Sequence, residues 1–390
     1  MKKKLIFITE ALWIGGIETA LVNLLNRLDH DRYDVTCLIL RDCQEMAYRI
    51  TPRCRLIVSD RQHPVTFREG YRYKRMYNLM EEPQHASKLR RLIWRVLRLI
   101  LRAPEARRYA AYVKKQMGGE HFDTAVIYSD RAAETSVRAV SADRFLLFYH
   151  HGAMRKEYHD ELGYRRAEKV ISVSEALAEK LKAYRPRYAG KIIAINNLID
   201  VAGVREKSLE TPETVFPKDC FNIVSCGRLA SAKGMDLAVA ACAKLVNDGL
   251  TDIRWWIVGG GPEEPSLRAQ IRALGVERYV TLLGMQDDPY PYIRQADLYV
   301  QPSRFEGHCV TVLEARLLAV PILATRNAAE EQIEDGKTGR LCKPDSASIA
   351  DAAAELYRMP ELRQAFRDAL RRHDFEHDNA LILQKLYALL

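Results

Sequence analysis

The sequence predicts an α/β protein made of two doubly wound parallel sheets, each with its own core. Short apolar runs rich in β-branched residues alternate with helical stretches along nearly the whole chain. Strands of a parallel sheet have this composition because helices cover both faces of the sheet. The 390 residues suffice for two domains, and a polar segment with two prolines, residues 200–218, is interpreted as the linker between them.

The N-terminal set of apolar runs places two candidate ligand contacts at strand ends. Strands are predicted at residues 5–9, 35–40, 56–59, 124–128, 145–149, 170–173 and 192–195. Ligands bind outside the carboxyl ends of such strands, where Gly15-Gly16 and His150-His151 lie. The glycine pair can admit a phosphate or an acceptor sugar, and one histidine can bind a sugar hydroxyl. A plain turn and a histidine without a role remain the alternatives. The pair lacks the GxGxxG fingerprint, which disfavours a dinucleotide dehydrogenase.

The C-terminal set begins with a strand at residues 221–226 and a loop that carries two cations. Arg228 and Lys233 lie five residues apart after this strand, and the loop itself holds no acid to pair with them. An arginine fork and a lysine point charge together suit a diphosphate. The less favoured alternative is that both are exposed surface cations.

Glycines end several strands of this second set. Gly227 forms the turn before the two cations, and Gly259 ends the next strand, where close packing is the preferred interpretation. The strand after that ends at Gly284-Met285, whose backbone groups can pair with a nucleobase edge.

The stretch from Ser303 to Ala315 joins a strand at residues 298–300 to a helix predicted over residues 312–320. Backbone N–H groups at a helix N-terminus have no partner within the helix and attract anions. We therefore expect free N–H groups and an anion site at His308, Cys309 and Val310.

Two carboxylates flank this expected anion site. Glu306 lies in the loop and Glu314 about one turn into the helix, and both can face one crevice, one beside a sugar and one beside a ribose. Gly307 lets a backbone or a ligand approach closely. The alternative is a loop carboxylate and a solvated helix residue without a shared role.

Composition disfavours metal, disulfide and membrane-spanning classes. Eight cysteines are scattered without a CxxC motif or a Cys/His cluster, which predicts reduced thiols in a cytoplasmic protein. The Asp29-His30-Asp31 sequence is interpreted as a solvated turn, so no metal site is predicted. The start of the chain lacks the features of a signal peptide, and no apolar run has transmembrane length.

The net charge of +9 is concentrated in one segment. Residues 84–117 hold ten Lys and Arg against Glu105 alone, and apolar residues recur at helical spacing between Lys88 and Arg102. Peripheral contact of residues 88–115 with an anionic membrane is the favoured interpretation, and a solvated basic helix face is the alternative. Nucleic acid is disfavoured because no aromatic stacking platform or binding motif is present.

Taken in order, the motifs resemble those of retaining glycosyltransferases of family 4, which have the GT-B architecture of two Rossmann-like domains facing a central cleft. The resemblance spans nearly the whole chain and is carried by Gly15-Gly16-Ile17-Glu18, Gly227-Arg228-Leu229 with Lys233-Gly234, residues 258–262, Glu306-x7-Glu314 and Gly336-x2-Gly339. Residues 15–28 and 170–200 are similar to the subset that builds capsular and other surface polysaccharides.

The resemblance implies three regions. Residues 1–200 would bind the acceptor, residues 201–375 would bind the nucleotide sugar, and a C-terminal helix at residues 376–390 would pack back on the first domain.

The resemblance also implies residue roles. Arg228 and Lys233 would hold the donor pyrophosphate, Glu314 the ribose, and Glu306 the transferred sugar. His150 or His151 would lie near the reacting carbon.

The remaining donor contacts implied by the resemblance are Gly15, Gly16, Asn197, Gly227, Gly259, Gly284, Met285, Gly307, His308, Cys309 and Val310. Two departures from the family pattern border the sugar: Leu198 replaces a glycine after Asn197, and His308-Cys309 replaces small apolar residues.

The implied activity is transfer of a sugar from a nucleotide diphosphate sugar, with UDP favoured, to a glycan acceptor that is lipid-linked. It would proceed with retention, without a metal or other cofactor, at the inner face of the cell membrane. The alternatives are a nucleotide-sugar epimerase, a phosphorylase that needs pyridoxal phosphate, and an inactive partner subunit.

Overall fold

The computed structural model describes residues 2–59, 107–129, 132–154 and 161–390. The helix predicted between Lys88 and Arg102 lies outside these ranges. Of the basic segment, residues 107–116 are described, and they are helical.

The first sheet has seven strands in the order β3-β2-β1-β4-β5-β6-β7. Their bounds are β1 Lys3–Thr9, β2 Tyr33–Ile39, β3 Arg55–Val58, β4 His121–Ile127, β5 Ser141–Tyr149, β6 Lys169–Ser172 and β7 Ile192–Ala194. Strands β1, β2, β3, β4 and β5 pair with their neighbours in parallel, and β1 lies between β2 and β4. All seven strands predicted for this half are confirmed. The apolar runs of β1, β2 and β4 are buried, as expected of strands covered on both faces, whereas β3 at the sheet edge is partly exposed.

The second sheet has six strands in the order β10-β9-β8-β11-β12-β13, again paired in parallel. Their bounds are β8 Phe221–Cys226, β9 Ile253–Val258, β10 Val280–Gly284, β11 Leu298–Gln301, β12 Ile322–Thr325 and β13 Arg340–Cys342. Every residue of β8 and β11 is buried. The prediction of two doubly wound parallel sheets is therefore confirmed.

Helices connect the strands of both sheets. They are α1 Gly16–Arg27, α2 Ala133–Ala139, α3 Glu161–Arg166, α4 Glu175–Tyr184, α5 Val201–Lys207, α6 Met235–Asn247, α7 Glu264–Ala273, α8 Tyr290–Arg294, α9 Val310–Leu317, α10 Arg326–Ala329, α11 Ser346–Arg358, α12 Pro360–Arg371 and α13 Phe375–Tyr387. Short 3₁₀ turns lie at Ala47–Arg49, Pro186–Lys191 and Ser231–Lys233. None of the helices in the described ranges is both long and apolar enough to cross a membrane.

The chain divides into two compact units. The first comprises residues 1–13, 25–149 and 155–171, and the second comprises residues 14–24, 150–154 and 172–390. In the second unit, Trp255 and Phe366 are among the largest fully buried side chains of a core formed by the sheet and its covering helices.

Three local expectations from the sequence are corrected. The segment interpreted as a linker contains helix α5, which begins after Asp200 because that side chain caps the Gly203 N–H. Helix α9 begins at Val310, two residues earlier than predicted, and ends at Leu317. The turn at Asp29 is present, but His30 within it is buried rather than solvated.

Candidate active site

Two loops meet at the carboxyl edge of the second sheet, where its strand order reverses. Strand β8 pairs with β9 on one side and with β11 on the other, so the loops that follow β8 and β11 leave the sheet side by side. In doubly wound sheets this reversal point opens a crevice for ligands. The first of these loops, residues 227–234, carries Arg228 and Lys233. The second, residues 302–309, carries Glu306 and the donor contacts predicted beside it.

Arg304 fastens one loop to the other. Its backbone N–H donates to Ala232 O at 2.8 Å, and its guanidinium donates two hydrogen bonds to the Asp236 carboxylate, at 2.8 and 2.6 Å. These hydrogen bonds hold the pKa of Asp236 below its usual value. The acid nearest in sequence to Lys233 is therefore engaged by Arg304.

Lys233 instead forms an ion pair with Glu306. Lys233 Nζ lies 2.7 Å from Glu306 Oε1, and the two side chains are 27% and 12% exposed. Burial alone lowers the pKa of Lys233, but the charge of Glu306 and the hydrogen bond to it outweigh burial, so the pKa is raised. Lys233 is thus a fixed cation at the β8–β11 edge.

Arg228 is the exposed cation of the same loop. Within the described residues it has no hydrogen bond or ion pair that occupies its guanidinium. A guanidinium in this state can bind an anion without first losing a protein partner. Together, Arg228 and Lys233 provide one available and one positioned positive charge.

Close backbone packing in these loops requires glycine. A Cβ on Gly234, whose φ is +66°, would clash with Pro302 O, and a Cβ on Gly259 would clash with Gly227 O. The packing interpretation of Gly259 matches this geometry. Glycine therefore lets the two loops approach as closely as backbones allow.

A second close approach brings His150 to the Glu306 loop. Within the second unit, a Cβ on Gly307 would clash with His150 O, and one on Gly152 would clash with Glu306 O. His150 is buried and His151 is partly exposed. The backbone from His150 to Gly152 thus packs against the loop that carries Glu306.

The N-terminus of α9 differs from the free anion site that the sequence suggested. Cys309 N donates to Gln332 Oε1 at 2.9 Å, and Gln332 Nε2 donates back to Cys309 O at 2.9 Å. The Cys309 N–H is therefore already satisfied, which corrects the expectation of a free donor at this position. Glu314, further along α9, is 4% exposed rather than solvated.

His308 occupies a half-buried position between the carboxylate loop and α9. Burial, together with a smaller contribution from the nearby Arg316 charge, lowers the pKa of His308 to about 4. Asn197 Nδ2 donates to His308 O at 3.4 Å, so the two departures from the family pattern, at Leu198 and at His308-Cys309, lie close together.

The remaining predicted donor contacts are Gly15, Gly16, Gly284 and Met285. Gly16 begins α1, and a Cβ on it would touch the Val310 side chain at 3.7 Å, while Gly15 O accepts from the backbone N–H of Thr19. Gly284 accepts from the Gly259 N–H at 2.7 Å, and Met285 is 50% exposed beside it.

Sequence reasoning missed Gln301, Ser303 and Gln332. Each is a buried polar residue, with an exposed fraction of 0%, 0% and 5% respectively. The available signal was a glutamine at the end of an otherwise apolar strand, since buried polar groups must be hydrogen-bonded.

The fold defines a class of protein. TarM of S. aureus, solved as a mutant in complex with fondaparinux, alpha-GlcNAc-glycerol and UDP, superimposes with a TM-score of 0.72 at 13% identity, covering 99% of each chain. With the two parallel sheets and their strand orders, this identifies the fold as that of GT-B glycosyltransferases.

The family comparison concerns the part of the chain that holds the site. Residues 220–359 match the family model described as Glycosyl transferases group 1. An alpha-D-kanosaminyltransferase of Streptomyces kanamyceticus is 34% identical over 146 residues, 36% of this chain and 38% of that protein.

A second curated relative matches a longer part of the chain. The N-acetylgalactosamine-N,N'-diacetylbacillosaminyl-diphospho-undecaprenol 4-alpha-N-acetylgalactosaminyltransferase of Campylobacter jejuni is 28% identical over 208 residues, 53% of this chain and 55% of that protein. The chain thus spans 38% and 55% of the length of these two curated relatives.

Proposed function

We propose that this protein is a retaining glycosyltransferase that transfers a sugar from a UDP-sugar to a lipid-linked glycan acceptor in surface polysaccharide synthesis. The observation that carries the proposal is the Lys233–Glu306 pair, 2.7 Å apart beside the available Arg228, at the strand reversal of a group 1 domain. The name of the Campylobacter relative contains diphospho-undecaprenol, which supports a lipid-linked acceptor. UDP in the TarM complex supports the base.

The proposed chemistry needs positive charge where the diphosphate leaves. Cleavage of the sugar–phosphate bond makes an oxocarbenium-like centre and adds negative charge to the diphosphate. Arg228 and Lys233 would stabilise that charge in a preorganised site, so the proposal assigns no metal or other cofactor. Glu306 would contact the sugar and Glu314 the ribose.

Retention is proposed to follow from attack on the face that the diphosphate leaves. The leaving phosphate would take the acceptor proton, so Glu306 need not act as a nucleophile. The segment that carries His150 and His151 packs against the Glu306 loop, and one of these histidines would border the reacting carbon.

A thermal-shift and turnover experiment tests the proposal. UDP and UDP-sugars should raise the melting temperature of the wild type. At a ligand concentration 100 times Kd, binding adds about 2.7 kcal/mol to the free energy of unfolding by mass action. Lys233→Ala should lose this shift and reduce transfer by at least about 100-fold, the usual effect of removing one charge-stabilising donor. NMR of the first product should show the anomeric configuration of the donor.

The matched control is Lys244→Ala. Lys244 is also paired with carboxylates, Asp248 and Asp351, but it lies on the outer face of α6. It should keep wild-type turnover. Undiminished transfer by Lys233→Ala would contradict the site, and conversion of the donor without an acceptor would indicate an epimerase instead.

A further inference from the structure

A chain of buried hydrogen bonds joins strand β11 to the carboxylate of Glu306. The Tyr299 hydroxyl lies 2.6 Å from Gln301 Oε1, and Gln301 Nε2 lies 2.8 Å from Ser303 Oγ. Ser303 Oγ in turn lies 2.6 Å from Glu306 Oε1. The first three residues of this chain are completely buried. Buried polar groups stabilise a site only when every member is bonded, and each side chain here has a partner.

The charged end of the chain fixes the direction of its hydrogen bonds. Lys233 can only donate and an ionised Glu306 can only accept, so Ser303 must give its proton to Glu306 Oε1. Ser303 Oγ is then an acceptor, which requires the NH₂ group of Gln301 to face it. This leaves Gln301 Oε1 to accept hydrogen bonds from the other side.

The other end of this hydrogen-bond chain reaches Cys309. Thr311 Oγ1 donates to Gln301 Oε1 at 3.1 Å, so Cys309 Sγ, 3.3 Å from Thr311 Oγ1, must be the donor of that contact. Burial and the charge of Glu306 raise the pKa of Cys309 to about 11, although Lys233 opposes this, and the thiol keeps its proton. The hydrogen bonds therefore run in one direction from Cys309 to Glu306.

We propose that Gln301 and Ser303 are positioning residues that hold Oε1 of Glu306 and leave Oε2 to accept a hydrogen bond from the donor sugar. Oε1 receives both the Lys233 ammonium and the Ser303 hydroxyl. In the described part of the chain, no hydrogen bond to Oε2 is present. This inference rests on the proposed function and extends it to the orientation of the carboxylate.

Ser303→Ala tests the inference. Transfer kcat should fall about tenfold or more, the effect of losing one hydrogen bond to a charged group. The affinity for UDP should stay unchanged, because the diphosphate cations are untouched. The UDP-sugar used is the one that binds the wild type most tightly among UDP-glucose, UDP-galactose and their N-acetylamino forms. The ratio of its affinity to that of UDP should fall by a similar factor.

Ser225→Ala is the matched control. Ser225 is equally buried on neighbouring strand β8, and its hydroxyl donates to Val300 O at 2.7 Å without joining the chain. It should keep the wild-type ratio of UDP-sugar to UDP affinity. Gln301→Leu, which removes the amide that orients Ser303, should reproduce the loss seen in Ser303→Ala.

The outcomes separate this inference from the proposed function. Wild-type kcat and affinity ratio in Ser303→Ala would overturn the inference and leave the function standing. An equal loss in Ser303→Ala and Ser225→Ala would also overturn it, because the effect would be general destabilisation. No binding or turnover of any UDP-sugar by the wild type would overturn the proposed function itself.

Discussion

His308 is held in a position where its imidazole stays neutral at physiological pH. Burial and, to a lesser extent, the Arg316 charge lower its pKa to about 4. Its Nδ1 is buried without a hydrogen-bond partner in the described structure. In the unfolded chain the same imidazole titrates near pH 6.5. Between these two values the unfolded chain therefore binds a proton that the folded protein does not.

This difference predicts a pH-dependent loss of stability. The contribution of His308 is fully present above about pH 6.5 and is lost as the pH falls toward 4, since proton binding then favours the unfolded chain. His308→Gln should lose less stability than the wild type between pH 7.5 and 4.5, by about 1–3 kcal/mol. Urea denaturation at the two pH values measures the effect.

The control for this prediction is His377→Gln. His377 is an exposed histidine near the start of α13. Its substitution should leave the pH dependence of the wild type unchanged. The same pH dependence in His308→Gln and wild type would contradict the assignment.

Helix α13 supports the helix that carries Glu314. Asn379 accepts from Ile199 N at 3.1 Å and donates to Ile199 O at 2.9 Å, and it is 2% exposed. Phe375, at the start of α13, packs in one apolar cluster with Ile199 and with Leu313 of α9. The C-terminal helix α13 thus packs against the segment at Ile199 and against Leu313 of α9.

Asn379→Ala should therefore lower the free energy of unfolding. Removing the amide leaves the buried N–H and carbonyl of Ile199 unpaired, which costs about 1–3 kcal/mol. Asn247→Ala, at the exposed end of α6, is the control and should change stability little. Chemical denaturation of both variants checks this, and equal stabilities would show that the Asn379 contact does not contribute.

The charge of the whole chain points to one surface-binding segment. Residues 84–117 hold the entire formal excess of +9, and we propose that residues 88–115 contact anionic lipid near the acceptor. Each basic residue close to an anionic surface contributes about 1 kcal/mol to binding. This proposal agrees with a lipid-linked acceptor and requires no membrane-spanning element.

Replacement of Arg91, Arg95 and Arg98 by Ser should weaken binding to vesicles that contain phosphatidylglycerol. Loss of three such charges predicts a fall of at least about tenfold, and the effect should diminish at high salt. Co-sedimentation measures the bound fraction. The control removes the same charge elsewhere, at the exposed Arg272, Arg278 and Arg294. Equal binding by the two triple variants would count against the membrane segment.

The strands were predictable because their signal is local. A parallel strand covered on both faces needs a short continuous apolar run, and such runs as 221–226 and 298–300 are visible without knowing their partners. Arg228 and Lys233 were predictable as neighbours for the same reason, since both follow one strand. The bounds of α5 and α9 were missed because capping by Asp200 and by the Cys309 backbone depends on geometry as well as composition.

The pairing of the two loops was decided only by tertiary structure. Residues 233 and 306 are 73 positions apart, and their ion pair exists because β8 and β11 are adjacent at the reversal of strand order. The same adjacency brings Arg304 to Asp236, whereas Gln332, which occupies the Cys309 N–H, follows β12 on the other side of β11. Composition and spacing therefore determine the sheets and the residue types at their edges. The tertiary structure decides which charged side chains pair and which hydrogen-bond donors are occupied. These contacts join residues distant in sequence, so they follow from strand order and close backbone packing.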